Sequence, residues 1–232
     1  MSDNHFIVDV KDVRKTYQQG KLDVAALRGL SLSIEKGEFT AICGPSGSGK
    51  TTLLNLIGAL DKPTSGSVVL EGKDLSTLDR QELSEIRRDR IGFVFQAYNL
   101  MPVLTAYENA EIVMWVQGVD YEKRKERVGK LLVEVGLEGM ENRLPSELSG
   151  GQQQRVAIAR AIAANPAVVL ADEPTANVDS ETADTLLDIM EQLNREHGVT
   201  FLFSTHDPKV MGRARRLVRL VDGKVAKDEV RN

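Results

Sequence analysis

Four residues near the start of this sequence have a spacing that suits the binding of a phosphate chain. The pattern G-x-x-x-x-G-K-[ST] is filled by Gly44, Gly49, Lys50 and Thr51. An apolar stretch at 39–43 precedes it and an amphipathic stretch follows, which is the strand-then-helix setting that this phosphate-binding loop requires. Backbone N–H groups at such a helix start, together with the helix dipole, attract an anion. We therefore expect Lys50 to reach the terminal phosphates of a nucleotide and the Thr51 hydroxyl to hold Mg²⁺.

Two carboxylates follow an apolar run at 167–171. The run has the length of a strand, and its lack of polar residues predicts a strand that is buried on both faces of a parallel sheet. Asp172 and Glu173 come directly after it, at the sheet edge where α/β proteins place their ligands. Asp172 suits the Mg²⁺ shell of a nucleotide site, and Glu173 is suited to positioning an attacking water. Capping of the next helix is the weaker explanation for this pair.

Two further polar side chains are predicted to lie at the same edge. Gln96 follows the apolar stretch 91–95, and His206 follows the stretch 200–204. Both stretches read as buried strands. The carboxyl ends of parallel strands meet at one edge of a sheet, so we expect Gln96 and His206 to lie near Asp172 and Glu173.

A second glycine-rich helix start is predicted far from the first in the chain. Ser149 and Gln152 have the spacing of a capping box, with Gly150 and Gly151 between them. Two glycines at a helix start leave N–H groups unobstructed, so this position is also suited to an anion. A glycine-softened helix start without a ligand is the alternative for this motif taken alone.

Bulk properties limit the class of protein. The 232 residues suffice for one large domain or two closely packed lobes. A net charge of −4 gives no overall attraction to nucleic acid or anionic lipid. The single cysteine, Cys43, lies in an apolar strand and is most simply a core residue. No apolar run is long enough to span a bilayer and the N-terminus shows no signal peptide, so we expect a cytoplasmic chain that reaches a membrane only through a partner.

The remaining pattern predicts the elements around these motifs. Stretches 5–10 and 27–34 read as strands of an antiparallel sheet, with Tyr17 in the loop between them. Residues 105–164 look mainly helical. The signals at element ends are capping boxes at Asp79/Glu82 and Thr105/Glu108, a helix opened by Asp179-Ser180 and running to about His197, and an Asp222-Gly223 hairpin turn.

Together these features resemble the ATP-binding-cassette (ABC) ATPases over essentially the whole chain. The stretch 44–51 matches the Walker A motif, Gln96 the Q-loop, and 148–152 (Leu-Ser-Gly-Gly-Gln) the family signature. The stretch 168–173 matches Walker B with its catalytic glutamate, Asp179 the D-loop, His206 the switch histidine and Tyr17 the adenine-stacking aromatic. Walker A is shared by many nucleotide hydrolases, whereas the signature in this order is highly specific.

Within that family, the sequence most resembles one bacterial branch. The stretches 96–102, 108–109 and 170–175 look like those of the ATPases of lipoprotein-releasing, macrolide-exporting and cell-division complexes. The D-loop departs from the branch's usual Gly-Asn-Leu-Asp, because residues 176–179 read Ala-Asn-Val-Asp. The aspartate itself is kept at Asp179.

The resemblance implies a fold and a set of site residues. The fold is α/β: a P-loop NTPase core with a mostly parallel sheet, an N-terminal antiparallel β subdomain and an α-helical subdomain inserted at roughly 97–160, in a single nucleotide-binding domain spanning 1–232. The catalytic residues would be Glu173, His206 and Lys50, and the Mg²⁺ ligands Thr51, Gln96 and Asp172. The nucleotide would be bound by Tyr17, Gly44, Pro45, Ser46, Gly47, Ser48, Gly49, Lys50, Thr51, Thr52, Gln96, Ser149, Gly150, Gly151, Gln152 and Asp179.

The resemblance also implies partners. Two copies would lie head to tail with two ATP molecules between them, each under residues 149–152 of the other copy. A separate membrane permease would respond to the closure of this dimer through Gln96 and residues 97–148, for export or lipoprotein release, and no nucleic acid is expected. An ATPase of a complex that sends a mechanical signal across the membrane, moving no substrate, remains the alternative.

Two other classes are disfavoured by motifs that the sequence lacks. A GTPase should carry Asn-Lys-x-Asp for guanine, and no such run occurs. A P-loop kinase has no need of Leu-Ser-Gly-Gly-Gln. Soluble family members that act on DNA or ribosomes usually carry long insertions or two cassettes in one chain, and this chain has neither.

Overall fold

The computed structural model describes residues 6–20 and 22–231, and their strands form two sheets. The strands are β1 (Phe6–Gln19), β2 (Leu22–Glu35), β3 (Phe39–Cys43), β4 (Ser65–Leu70), β5 (Lys73–Asp74), β6 (Ile91–Phe95), β7 (Val168–Asp172), β8 (Thr200–Thr205), β9 (Arg216–Val221) and β10 (Lys224–Val230). The helices are α1 (Lys50–Ile57), α2 (Arg80–Arg90), α3 (Ala106–Val116), α4 (Tyr121–Glu134), α5 (Gly150–Ala163), α6 (Ser180–His197) and α7 (Pro208–Arg213), with a 3₁₀ turn at Pro145–Glu147.

The larger sheet carries the predicted site. Its strand order is β10-β9-β3-β8-β7-β6, and all neighbours are parallel except the hairpin β9–β10. Strands β3, β6, β7 and β8 therefore all end at one edge, and the candidate site residues follow those ends. The predicted mostly parallel α/β fold is confirmed.

Buried strands of this sheet send alternate side chains to opposite layers. In β7, Val169 and Ala171 pack with helices α3–α6, whereas Val168 and Leu170 pack with α1, α2 and the second sheet. A strand with a core on both faces needs apolar residues at every position, which explains the continuous run in the sequence.

The smaller sheet is antiparallel with the order β2-β1-β4-β5, as predicted for the N-terminal part. Its first two strands are longer than the predicted 5–10 and 27–34, and His5 lies outside the described residues. The prediction that Tyr17 lies in a loop is wrong, because Tyr17 pairs with Val24 within the β1–β2 ladder. The end of β1 is largely polar, and the apolar residues at the start of β2, such as Leu22 and Val24, are exposed, so neither end shows the apolar alternation that marks a strand in sequence.

The remaining expectations about element ends are confirmed. The capping boxes at Asp79/Glu82, Thr105/Glu108 and Ser149/Gln152 all form, and Asp179 caps a helix that ends at His197. Asp222 and Gly223 both have positive φ, as a two-residue hairpin turn requires. Helix α7 was not predicted. Among the described helices, none is both long enough and apolar enough to cross a bilayer.

Candidate nucleotide site

The loop between β3 and α1 is shaped by two glycines for which no other residue can substitute. Gly44 has φ 150°, and a Cβ there would lie 2.2 Å from the Leu220 carbonyl oxygen of β9. Gly49 has φ 101°, and its Cβ would lie 2.7 Å from the Ala26 carbonyl oxygen of β2. Contacts below 3.0 Å with backbone cannot be relieved by turning a side chain, so both positions need glycine.

The turn of the C-terminal β9–β10 hairpin supports this loop through backbone hydrogen bonds. The Gly223 N–H donates to the Ser48 carbonyl at 3.1 Å, and the Gly223 carbonyl accepts from the Arg28 N–H at 2.9 Å. A single turn residue thus joins the loop to strand β2. The Ser48 hydroxyl is buried without a partner among the described residues, so this serine contributes to the loop's interior and not to its open face.

The start of α1 is left open for an anion. Gly49, its N-cap, makes no side-chain cap bond, and no acidic residue lies in the first turn. The N–H groups at this end therefore have no side-chain acceptor of their own, which is the arrangement found where helices bind phosphate. The Lys50 ammonium donates to the carbonyls of Gly44 at 2.9 Å and Pro45 at 3.2 Å, so it lies along the loop that it would share with a phosphate.

A cavity of about 750 Å³ opens over this loop. It brings together most of the predicted site: Tyr17, Gly44, Pro45, Ser46, Gly47, Gly49, Lys50, Thr51, Thr52, Gln96, Glu173 and His206. Val24, Ala25 and Ala26 also line it and were not predicted, since they lie in the part of β2 that the sequence pattern missed. The volume and the mixed apolar and polar lining suit a ligand of nucleotide size.

The donor set expected for Mg²⁺ is partly assembled. The Thr51 hydroxyl lies 3.4 Å from Asp172 Oδ2, beside the open start of α1. A hydroxyl and a carboxylate are hard oxygen donors, which Mg²⁺ prefers, and this ion commonly takes its other ligands from phosphate and water. Among the described residues, no group of three or more His, Cys, Asp or Glu is arranged as a metal site.

Glu173 and His206 form the tightest polar contact in the cavity. Glu173 Oε1 lies 2.6 Å from His206 Nδ1, and Glu173 Oε2 accepts from the Thr205 hydroxyl at 3.1 Å. The Glu173 side chain is only 18% exposed, whereas that of His206 is 77% exposed. Glu173 also has φ 48°, an uncommon conformation for this residue, held by its N–H bond to the Ser204 carbonyl at 2.9 Å. Thr205 was not predicted, although it ends the strand that precedes His206.

Gln96 is linked to a residue that the sequence did not single out. The Asn177 amide donates to the Gln96 carbonyl at 2.9 Å, and the Gln96 amide lies 3.4 Å from Asn177 Oδ1. The Tyr98 hydroxyl donates to the Asn177 carbonyl at 3.1 Å. Asn177 belongs to the segment 176–179 that leads to Asp179, so it connects that segment with the end of β6.

The second glycine-rich helix start lies outside this cavity. Ser149 Oγ accepts from the Gln152 N–H at 3.3 Å, and Gln152 Oε1 accepts from the Ser149 N–H at 2.9 Å. A Cβ on Gly151 would lie 2.4 Å from the Thr182 methyl of α6, and one on Gly150 would lie 2.8 Å from the Tyr98 hydroxyl. A Cβ at either position would therefore require the Thr182 or Tyr98 side chain to move.

Asp179 is likewise placed away from the cavity. Its carboxylate caps α6 and accepts from the Thr182 hydroxyl at 2.6 Å and from the N–H groups of Thr182 and Glu181 at 2.9 and 3.1 Å. These bonds, that of the Thr182 hydroxyl first, lower the pKa of Asp179. Within one chain, Asp179 has a capping role and no contact with the phosphate-binding loop.

Comparisons with known proteins agree with this geometry. The family described as "ABC transporter" matches residues 27–176. A lipoprotein-releasing system ATP-binding protein, LolD, of Anaeromyxobacter dehalogenans is 48% identical over 95% of this chain and 93% of its own length. The macrolide export ATP-binding/permease protein MacB of Syntrophobacter fumaroxidans is 48% identical over 94% of this chain, which spans only 31% of that relative.

A solved structure is similar along nearly the whole chain. It is described as the dimeric, post-hydrolysis state of the ATP-binding cassette MJ0796 bound to ADP and Pi, a cassette found in Methanocaldococcus jannaschii. The identity is 46%, the match covers 97% of this chain and 99% of that one, and the TM-score is 0.88.

Proposed function

This chain belongs to the ABC transporter family, and we propose that it is the subunit that couples ATP hydrolysis to the work of a separate membrane protein. As a member of this family it is an ABC ATPase that binds ATP. The observation that carries the proposal is the meeting of Glu173 and His206 with the phosphate-binding loop in one cavity. These groups meet because strands β7, β8 and β3, which precede them in the chain, end at the same edge of the sheet.

The cavity is proposed to bind ATP through three groups of contacts. Tyr17 offers its ring to the base, and the segment 44–52 surrounds the phosphates with its backbone N–H groups. Lys50 leaves the carbonyls of Gly44 and Pro45 to take up the β- and γ-phosphates, since an ammonium prefers an anionic oxygen to a neutral carbonyl. The loop is held by β2 and β9, so little of the protein must reorder when the phosphates arrive.

Magnesium is proposed to be held by Thr51, Asp172 and Gln96. When bound, the ion would neutralise negative charge on the phosphates and so favour attack on them. Thr51 and Asp172 already lie together at the start of α1. Gln96, which is bonded to Asn177, would turn from that partner to reach the ion.

Hydrolysis is proposed to depend on Glu173 as the group that orients and polarises the attacking water. Thr205 and His206 hold both of its oxygens, which fixes the direction of the carboxylate at the mouth of the cavity. His206 is exposed enough to exchange this bond for one with the γ-phosphate. Phosphoryl transfer needs positioning and charge stabilisation more than covalent chemistry, and this arrangement supplies both.

We propose that the site is completed by a second copy of the chain. Residues 149–152 and Asp179 lie outside the cavity of their own chain, so in this family's head-to-tail dimer they would face the ATP of the partner copy. The similar cassette MJ0796 is described as dimeric, which supports this arrangement. ATP would then favour the closed dimer, and hydrolysis would release it.

We further propose that the chain is a single nucleotide-binding domain with a helical part inserted at roughly 97–160, and that Gln96 and residues 97–148 face a membrane permease. Such a partner would hold the chain at the inner face of the cell membrane. The names of the relatives LolD and MacB support lipoprotein release or export as the work performed. A mechanical signalling complex would use the same cassette, and affinity capture of the partner would reveal it.

The catalytic assignment is tested with Glu173→Gln. We expect ATP hydrolysis to fall by about a hundredfold to ten-thousandfold, the range for loss of a positioned base, because an amide cannot polarise the water. ATP binding should persist, and size-exclusion chromatography with light scattering should detect an ATP-dependent dimer. Glu196→Gln, the same change on an exposed helical residue, should behave like the natural chain. Steady turnover of Glu173→Gln at the natural rate would refute the assignment.

The partner is tested by affinity capture of the tagged Glu173→Gln chain with ATP and Mg²⁺ from detergent-solubilised membranes of the native host. Mass spectrometry should identify a protein with several membrane spans. Its domain outside the cytoplasm would distinguish export or lipoprotein extraction from signalling. Recovery of soluble partners alone, with the dimer verified, would contradict the membrane role.

A further inference from the structure

We propose that Asp61 is a positioning residue that holds the ring of Tyr17 ready for the adenine base, with Lys15 covering the ring's other face. The inference rests on the proposed function, because it assigns the base-binding side of the same cavity. Asp61 belongs to the loop that follows α1 and does not itself line the cavity.

The Asp61 carboxylate is the centre of a small bonded cluster. Its Oδ2 accepts from the Tyr17 hydroxyl at 2.9 Å. Its Oδ1 accepts from the Lys15 ammonium at 2.7 Å and from the Lys62 backbone N–H at 2.7 Å. The ring of Tyr17 therefore cannot swing on its side-chain torsions without breaking a charge-assisted bond.

The cluster is tied to the helix that carries Lys50 and Thr51. The Asn55 carbonyl of α1 accepts from the N–H groups of Leu60 at 2.9 Å and Asp61 at 3.3 Å. Three residues later, the Thr64 N–H donates to the Arg14 carbonyl of β1 at 2.8 Å. The loop of Asp61 thus links α1 with β1, so Tyr17 is placed relative to the same helix that receives the phosphates.

Lys15 determines which face of the ring remains open. Its ammonium lies 4.9 Å from the centre of the Tyr17 ring and also donates to the Lys62 carbonyl at 2.7 Å. Lys15 and Tyr17 are two residues apart in β1 and so point to the same side of the sheet. A cation over one face of an aromatic ring is attracted to it, which leaves the opposite face for a flat ligand.

The protonation states keep these bonds in place. Burial raises the pKa of Tyr17, and its bond to the Asp61 carboxylate raises it further, so its hydroxyl remains a donor. Burial alone would raise the pKa of Asp61, but the bonds from Lys15, Tyr17 and the Lys62 N–H outweigh it and lower the pKa. Asp61 therefore remains a charged acceptor at neutral pH.

A role in stability alone is a poor explanation for this cluster. The Lys15 side chain is 13% exposed and that of Asp61 31% exposed, so the pair is only partly buried. Ion pairs that water still reaches contribute little net stability, because solvent screening and the ordering of the side chains offset their attraction. Lys15 and Asp61 instead hold the Tyr17 ring, which lines the cavity, in one orientation. A fixed ring is what the orientation of a stacked ligand requires.

The test compares ATP with tripolyphosphate, which has the phosphate chain but no base. For Asp61→Ala we expect the KM for ATP to rise about three- to tenfold, a part of the free energy of base stacking, while kcat is kept. The inhibition constant of tripolyphosphate should not change. Asp61→Asn, which keeps an acceptor for the hydroxyl, should restore most of the affinity. Tyr17→Phe removes the bond to Asp61 together with the hydroxyl's bond to Thr52, and it should raise the KM at least as much.

A double-variant comparison shows whether Asp61 acts through the ring. In a Tyr17→Ala background there is no ring to orient, so Asp61→Ala should add nothing to the KM. Three results would overturn the inference. The first is that Asp61→Ala raises the KM for ATP as much in the Tyr17→Ala background as it does in the natural chain. The others are an unchanged KM in the Asp61→Ala and Tyr17→Phe single variants, or a loss of tripolyphosphate affinity in Asp61→Ala as large as its loss of ATP affinity. A natural chain that neither hydrolyses ATP nor binds tripolyphosphate would instead refute the proposed function.

Discussion

The two glycine-rich helix starts of this chain resemble each other in sequence and differ in what surrounds them. The start of α1 has no side-chain cap and opens into the cavity. The start of α5 is capped by its own Ser149 and Gln152 and lies outside the cavity. Both present N–H groups and a helix dipole, which favour an anion. Only α1 has the cation, the hydroxyl and the carboxylates of the same chain around it.

Under the proposed function, this difference divides the nucleotide site between one chain and a partner copy. The α1 start is supported from below by β2 and β9 and is surrounded by residues that suit phosphate and metal. The α5 start is pre-formed by its own capping box and lies outside the cavity of its own chain. In the proposed dimer, the nucleotide of a second copy would bind at this pre-formed α5 start.

The largest effect is expected at the α1 start. Gly44→Ala places a Cβ 2.2 Å from the Leu220 carbonyl oxygen, so the loop must move away from β9. A shift of about 1 Å in a phosphate-binding group can cost about a hundredfold, and we expect at least that loss in kcat/KM for ATP. ATP binding by the single chain, measured by calorimetry, should fall with it.

The control for this change is Gly129→Ala at a half-buried position of α4, where a Cβ meets nothing within 4 Å. Alanine there should leave ATP binding unchanged and add about 0.5–1 kcal/mol to the free energy of unfolding, because glycine is a poor helix former. Normal ATP binding by Gly44→Ala would show that the loop does not need its contact with β9.

An intermediate effect is expected at the α5 start. Gly151→Ala should leave ATP binding by the single chain intact, because this position lies outside the cavity. ATPase activity should fall about tenfold or more, the scale on which misplaced anion-binding N–H groups act, and the Glu173→Gln background should lose its ATP-dependent dimer.

A second variant separates packing from ligand contact at this position. Thr182→Ser removes the methyl group that a Cβ on Gly151 would meet at 2.4 Å and keeps the hydroxyl that bonds Asp179. We expect Gly151→Ala with Thr182→Ser to fold normally and still fail to dimerise. Full recovery of the dimer would mean that the glycine serves packing within the chain alone.

The smallest effect is expected from the cap itself. Ser149→Ala removes the acceptor of the Gln152 N–H and should lower the free energy of unfolding by about 1 kcal/mol, as measured by urea denaturation. ATP binding by the single chain should be unchanged. If Ser149→Ala lowered the ATP affinity of the single chain as much as Gly44→Ala does, the two helix starts would not differ in the way described. The start of α1 has no side-chain cap, so it offers no equivalent substitution.

Most of the fold and of the cavity could be predicted because their signals are local. The β7 run, the capping boxes and the phosphate-binding pattern each lie within a short window, where period, capping and turn chemistry act. The edge position of Gln96, Glu173 and His206 then follows from the geometry of parallel strands. The structure brings these three together with the loop, as expected.

What the sequence did not reveal depends on contacts between distant residues. Asp61 and Asn177 are ordinary loop residues by type, and their bonds to Tyr17 and Gln96 join positions 44 and 81 apart in the chain. Tyr17 was misplaced because the ladder that continues β1 and β2 is mostly exposed on its β2 side and lacks an alternating apolar pattern. The close approach of Tyr98 to Gly150 and of Thr182 to Gly151 was also hidden, since both side chains come from other parts of the chain.

The turn between β9 and β10 has a consequence for folding during synthesis. Gly223 joins the phosphate-binding loop at Ser48 to strand β2 by two hydrogen bonds, so these bonds form only when the hairpin has folded. During synthesis the ribosome releases the phosphate-binding loop long before it releases Gly223. For part of its synthesis the nascent chain therefore carries the phosphate-binding motif without the hairpin that supports it, and we expect ATP binding to strengthen once the hairpin has formed.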